Sequence, residues 1–234
     1  MQNIKQKSVI ILIGPPGAGK GTQAELLSER LNFYYFETSK MLEASFKGHS
    51  AKDFIEIEGE KYYFSKEAEL WKKGFLNSPL FVSYLVQEKI RNLYEKGENL
   101  LLAGSPRTLL EGEKIMPLLF DLYGKENIKV LVFDISPEQT IFRNSHRRIC
   151  DLIRHPILYN NETKGLKFCP LDGSALVKRH DLDDPEIIKI RLKEYKERTV
   201  PLLQYLEKTG LTIHKIDGAG SVSQVFKLAL AAVN

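Results

Sequence analysis

The sequence predicts an α/β fold: a parallel sheet with helices on both faces, carrying two insertions on its ligand side. Three observations predict it. Short, uniformly apolar runs recur along the chain, segments of helical periodicity separate them, and the first run leads straight into a glycine-rich loop and a helix. With 234 residues, 43% hydrophobic and 27% charged, the chain can bury one sizeable core in a single domain spanning 1–234.

The elements follow in order. "SVIILI" (8–13) is short and apolar throughout, as a strand covered on both faces must be. "KGTQAELLSERL" places Ala24, Leu27 and Leu31 at helical spacing. "FYYFE" (33–37) is a short strand candidate. The stretch 48–74 breaks the alternation, and "FIEIEGEKYYF" within it reads as a hairpin turning at Glu58 and Gly59. Its aromatics Tyr62, Tyr63, Phe64 and Trp71 read as local packing rather than a platform for a flat ligand. "FVSYLVQEKIRNLYEKG" is a helix closed by a glycine cap at Gly97. "NLLLAG" (99–104), "IKVLVFDI" (128–135) and "LTIHKID" (211–217) complete the strands. The second irregular stretch, 149–180, holds both cysteines. Ligands of such sheets sit beyond the carboxyl ends of the strands.

Composition narrows the function classes. Thirty-four Lys+Arg against 30 Asp+Glu leave +4, too little to argue for nucleic acid and suited to small anions if the cations cluster. No apolar run reaches membrane-spanning length, and "MQNIKQK" lacks a signal-peptide core, so a cytoplasmic protein is expected. Two cysteines, Cys150 and Cys169, make no disulfide framework; they are free thiols or metal ligands.

"GPPGAGKGT" (14–22) matches G-x-x-x-x-G-K-[ST] with one slip, since Gly21 separates Lys20 from Thr22. Its mechanics survive. Gly14, Gly17 and Gly19 let backbone N–H groups converge on phosphate oxygens, Lys20 reaches the β- and γ-phosphates, and the helix N-terminus adds positive potential. Thr22 is the candidate hydroxyl near Mg²⁺.

The longer stretch "GPPGAGKGTQA" resembles the adenylate kinase family of nucleoside monophosphate kinases. "GSPRT" (104–108) is similar to that family's G-F-P-R-T, "FRNSHRRI" to its entry into the lid, "KRHDLDDPEIIKIRLKEYKERTVPLL" to the lid exit and following helix, and "IDGAGSVSQV" to its final strand and base loop. The resemblance covers nearly the whole chain. It implies sheet order 2-3-1-4-5, an inserted acceptor (nucleoside monophosphate) lobe at 38–77 and an inserted lid lobe at 148–181. It also implies sites: ATP at Gly14, Gly17, Ala18, Gly19, Lys20, Gly21, Thr22, Arg143, Arg147 and Gly220, and AMP at Thr38, Phe75, Leu76, Asn77, Gly104, Arg107, Glu111, Arg179 and Arg191. Lys20, Arg107, Arg147, Arg179 and Arg191 are the implied catalytic set. Arginine suits the work because it is always charged and grips phosphate oxygens bidentately.

Four positions depart from the family pattern. Ala103 and Lys40 stand where the family has acids that organise the waters of Mg²⁺, and Glu43 stands where it has a phosphate-binding arginine. Glu43 must then turn away or pair with Lys40 or Lys47, its helical neighbours. Glu111 replaces a glutamine that reads adenine. An ionised carboxylate only accepts hydrogen bonds, so adenine N1 goes unread while guanine's N1–H and amino group would suit it.

In the zinc-bearing branch of the family the lid carries four ligands. Cys150, Cys169 and Asp172 match three, and Ile153 occupies the fourth place. His155 would complete a Cys-His-Cys-Asp tetrahedron, but with one matching ligand missing a lid without zinc is the expectation. The implied reaction is reversible, Mg²⁺-dependent transfer of the ATP γ-phosphoryl group to a nucleoside monophosphate, with AMP expected, by a monomer without nucleic-acid or membrane partners. Two alternatives stay open: another acceptor such as GMP, or a nucleotide-binding module with weak or no kinase activity.

Overall fold

The computed structural model describes residues 7–178 and 183–234. Its core runs β1 (Val9–Ile13), α1 (Lys20–Leu31), β2 (Tyr34–Glu37) and α2 (Thr38–Phe46), then β3 (Phe54–Ile57), β4 (Glu60–Tyr63) and α3 (Phe64–Lys72). Next come α4 (Pro79–Glu95), β5 (Leu100–Ala103), α5 (Leu109–Tyr123), β6 (Ile128–Asp134) and α6 (Pro137–Ser145). The chain ends with β7 (Arg148–Cys150), β8 (Pro156–Ile157), β9 (Leu176–Val177), α7 (Pro185–Glu194), a π-helical turn (Tyr195–Thr199), α8 (Val200–Lys208), β10 (Ile213–Asp217) and α9 (Val222–Val233).

Five strands pair in parallel in the order β2-β5-β1-β6-β10. Counted along the chain these are strands 2-3-1-4-5, as expected. The central strand β1 is buried at every residue because both faces are covered. Strand geometry sends alternate side chains to opposite layers. Val9, Ile11, Ile13, Leu100, Leu102, Val130 and Val132 pack with Phe81, Val86, Ile90, Ile115, Met116, Leu119, Leu202 and Leu206, on α4, α5 and α8. Ile10, Leu12, Leu101, Leu131, Phe133 and Ile216 pack instead with Ala24 and Leu27 of α1 and with Val225 and Ala229 of α9.

Local chemistry fixes the helix ends. α6 and α9 open on capping boxes, Ser136 with Gln139 and Ser221 with Gln224. α4 closes where the Gly97 N–H donates to Tyr94 O and Glu98 N–H to Leu93 O. The stretch 48–74 folds into the antiparallel pair β3–β4, turning at Glu58 (φ 52°) and Gly59 (φ 83°), followed by α3. Its aromatics dock on the core: Phe64 meets Phe81 edge-on at 5.6 Å, and Trp71 meets Phe46 at 6.4 Å. The stretch after α6 forms a small sheet in the order β8-β7-β9. Among the described residues, no helix is long and apolar enough to cross a membrane.

Candidate active site

A cleft of about 1520 Å³ opens at the carboxyl end of the parallel sheet, where β1, β5 and the helices after them part. That volume exceeds the usual pocket for one small ligand and suits two nucleotides.

The loop between β1 and α1 forms one wall. Gly14, Gly17, Ala18, Gly19, Lys20, Gly21 and Thr22 all line the cleft. Gly17 has φ 79°, and a Cβ there would come within 2.5 Å of Asn144 Nδ2, so only glycine fits this turn. The Lys20 ammonium donates to the carbonyls of Gly14 (2.7 Å) and Pro15 (2.8 Å). Burial holds its pKa well below the ordinary lysine range, and the charges of Arg107, Arg191 and Arg147 lower it further.

These arginines reach the cleft from three elements. Arg107 lies in the turn between β5 and α5, Arg147 just after α6, and Arg191 on α7; all three line the cleft. Gly104 is shaped to its neighbour, since a Cβ there (φ 102°) would stand 2.7 Å from an Arg107 guanidinium nitrogen. Arg147 donates to Asn144 Oδ1 (2.8 Å), and Asn144 in turn donates to Thr140 O (2.7 Å), which holds the guanidinium on its helix end. The buried Asp183 carboxylate lies 3.9 Å from Arg147. Arg143 donates to Ala219 O (3.2 Å) and Gly17 O (3.5 Å), so it straps the glycine-rich loop to the Gly218–Gly220 loop. Its neighbour Arg148 is engaged inside the small sheet's loop, on the carbonyls of Leu166 and Thr163. Four cations facing one space repel one another, and a polyanion entering it relieves that repulsion.

The sequence-predicted acceptor residues divide. Phe75, Leu76, Gly104, Arg107 and Arg191 line the cleft, as does Gly220 of the expected ATP site. Thr38, Asn77 and Glu111 are buried and are not among the lining residues. Asn77 donates to Glu67 O (2.7 Å) and Glu67 Oε2 (2.9 Å), tying the end of α3 to the start of α4. Thr38 Oγ1 has no hydrogen-bond partner among the described residues. Glu111 accepts from Arg107 N–H, Ser105 Oγ–H and Thr108 Oγ1–H. Burial raises its pKa, against the pull of the Arg107 N–H and guanidinium. Arg179 lies outside the described residues.

Ala103 and Lys40 do line the cleft, but Lys40 pairs with Glu37 at 2.9 Å rather than with Glu43, which sits 3.9 Å from Lys47. Glu37 is a cleft residue that the sequence reading missed, as are Glu25, Tyr35, Arg154, Lys178 and Glu194. Glu37 could have been found from its place at the carboxyl end of a strand. Glu194 could have been found one helical turn beyond Arg191: it accepts from Leu76 N–H (3.1 Å) and Arg198 (2.9 Å), joining the base of the 48–74 insertion to α7.

The small sheet brings together what the sequence left incomplete. The donor atoms of Cys150, His155, Cys169 and Asp172 all lie within 4.8 Å of one another. Cys150 Sγ is 2.9 Å from His155 Nδ1, and the Leu171 N–H donates to Cys169 Sγ at 3.3 Å. Asp172 accepts from Ser174 through Oδ1, while its buried Oδ2 makes no direct hydrogen bond by geometry among the described residues. Two sulfurs, an imidazole and one carboxylate oxygen fit a tetrahedral zinc ion.

Comparison with known proteins accords with this geometry. A family model described as adenylate kinase matches residues 12–211. An adenylate kinase of Ruminiclostridium cellulolyticum is 31% identical over 96% of this chain and 98% of its own length. One from Methanothrix thermoacetophila is 32% identical, covering 93% and 94%. One from Mycoplasma capricolum is 33% identical, covering 93% and 95%.

Proposed function

The chain belongs to the adenylate kinase family and is a nucleoside monophosphate kinase, and on that premise we propose that it transfers the γ-phosphoryl group of Mg²⁺-ATP reversibly to AMP, giving two ADP. The observation that carries this reading is the convergence of Lys20, Arg107, Arg147 and Arg191 on one cleft beside the phosphate loop. Phosphoryl transfer needs little covalent chemistry from protein. It needs donor and acceptor held in line and their charge neutralised.

The glycine-rich loop's N–H groups and Lys20 hold the donor's β- and γ-phosphates, Arg147 takes donor phosphates, and Arg143 stacks on the donor base. Arg107 and Arg191 grip the acceptor's phosphate between Gly104 and the wall of Phe75 and Leu76. Arg179, the remaining member of the expected catalytic set, lies outside the described residues. Thr22, Glu25 and Glu37 line the cleft with the oxygen donors that a hard cation prefers, Glu37 being paired with Lys40 in this structure. When bound with ATP, magnesium offsets the charge of the β- and γ-oxygens. Glu37 pairs in the sheet register with Ala103, so it stands beside the position where the family's acid is missing.

The insertions at 38–77 and 148–181 serve as acceptor lobe and lid, and Cys150, His155, Cys169 and Asp172 hold a structural zinc ion in the latter. Both thiols are free, which suits a reducing cytoplasm. The working unit is a monomer acting on small molecules, without nucleic acid or membrane. The test is ADP formation from ATP with AMP, GMP, CMP and UMP in turn, with and without Mg²⁺. Highest kcat/KM with AMP and loss of turnover without the metal are expected. ATP binding with no turnover of any acceptor would mark a binding module instead.

A further inference from the structure

We propose that Glu111 is a positioning residue for the acceptor phosphate: it fixes the turn that carries Arg107 and does not read the acceptor base. The inference rests on the kinase reading above and deepens it.

The turn Gly104–Arg107 joins the end of β5 to α5. Thr108 is the N-cap of that helix, its hydroxyl accepting from the Glu111 N–H at 3.2 Å. In the usual box the residue three positions on reaches back to the N-cap N–H. Here the carboxylate reaches one residue further. Glu111 Oε2 accepts from the Arg107 N–H (2.8 Å) and from Ser105 Oγ–H (3.0 Å), and Oε1 accepts from Thr108 Oγ1–H (3.3 Å). Glu111 is 2% exposed and is not among the residues lining the cleft. Both carboxylate oxygens are engaged on three donors of one turn.

A carboxylate can accept from all three donors of this turn at once. A glutamine amide has one acceptor oxygen, and its NH₂ fits only a hydroxyl turned to accept, so it cannot take all three donors. The consequence travels a short way. The Arg107 guanidinium folds back against the Gly104 α-carbon, close enough that a Cβ there would touch it. Backbone position at 104–107 thus sets where the guanidinium stands in the cleft. A displacement of about 1 Å at such a clamp costs on the order of 10²-fold in rate. Because the clamp holds phosphate, the cost falls equally on every nucleoside monophosphate.

The experiment compares wild type with Glu111→Gln, and with Ser105→Ala as a milder variant that keeps the carboxylate. Steady-state constants are measured for AMP, GMP and ATP, with calorimetric AMP affinity and circular dichroism alongside. For Glu111→Gln the acceptor KM is expected to rise about tenfold, by the same factor for AMP and GMP, with the ATP KM unchanged. Ser105→Ala should show a smaller change of the same pattern. A base-dependent result, with AMP use rising and GMP use falling, overturns the proposal in favour of base reading. So does unchanged AMP affinity, or an equal loss toward ATP. A wild type that turns over no monophosphate sinks the kinase reading instead, and the calorimetric comparison then still decides the role of Glu111.

Discussion

Lys20 shows how much of the chemistry rests on one side chain. Its ammonium bridges two loop carbonyls and faces three arginines, and burial with their charges lowers its pKa. In the proposed reaction its role is charge at the phosphates rather than apolar packing. Lys20→Ala is therefore expected to lower kcat by about 10³-fold or more, the scale of losing a preorganised charge in a phosphoryl-transfer site. Circular dichroism and thermal melting should show an intact fold. Wild-type turnover in that variant would remove the assignment of the loop. The neighbourhood of Lys40 shows the limit of reading at this scale. Glu37 and Glu43 both lie three residues from it, so helical spacing offers two partners; the ion pair forms with Glu37 at the strand end.

At the scale of elements, the small sheet β8-β7-β9 has little core of its own. Leu152, Ile153, Phe168 and Leu171 are exposed around it, and its buried polar cluster is Cys150, His155, Cys169 and Asp172. A bound metal stabilises such a unit because it binds the folded form only. Protein purified without chelator is expected to carry about one zinc per chain by elemental analysis. Chelation, or Cys169→Ser, should release it and lower the melting temperature by several degrees, on the scale of a few kcal/mol in a domain of this size. Metal-free protein with an unchanged melt would show that the cluster is held by hydrogen bonds alone. The sequence supplied three of these four ligands in the familiar spacing. It offered His155 only as a candidate for the fourth, and the hairpin between β7 and β8 turns that residue, five positions from Cys150, back toward its sulfur.

For the whole molecule, the cleft lies between the parallel sheet and the stretches 48–74 and 149–178. The first docks on the core through Phe64 against Phe81, and Glu194 ties its base to α7 by accepting from Leu76 N–H and Arg198. The second follows the end of α6, where Arg147 and Arg143 stand. Open water in a site that activates ATP would hydrolyse it, so closure should follow nucleotide binding. A bisubstrate analogue joining ATP to AMP is expected to draw 48–74 and 149–178 inward. Small-angle scattering should report a smaller radius of gyration, and hydrogen exchange should slow in both segments. Identical profiles with and without the analogue would rule closure out.

The sequence by itself determined the sheet and the phosphate loop. Apolar runs short enough to be strands, separated by helical periods, can be buried only between two helical layers, and "GPPGAGKGT" places its glycines and lysine within one turn of chain. Such information is local, so spacing along the chain carries it. What only the tertiary structure decided are the directions of side chains whose partners lie in other elements or across a turn. Asn77 is held by Glu67, Glu111 folds back onto the Ser105–Arg107 turn, and His155 swings into the cysteine pair. Each is polar, and a polar group removed from water must find a hydrogen bond. Which of several available donors it finds depends on backbone positions set by the packing of the whole core, and those positions are not written in the spacing of the residues themselves.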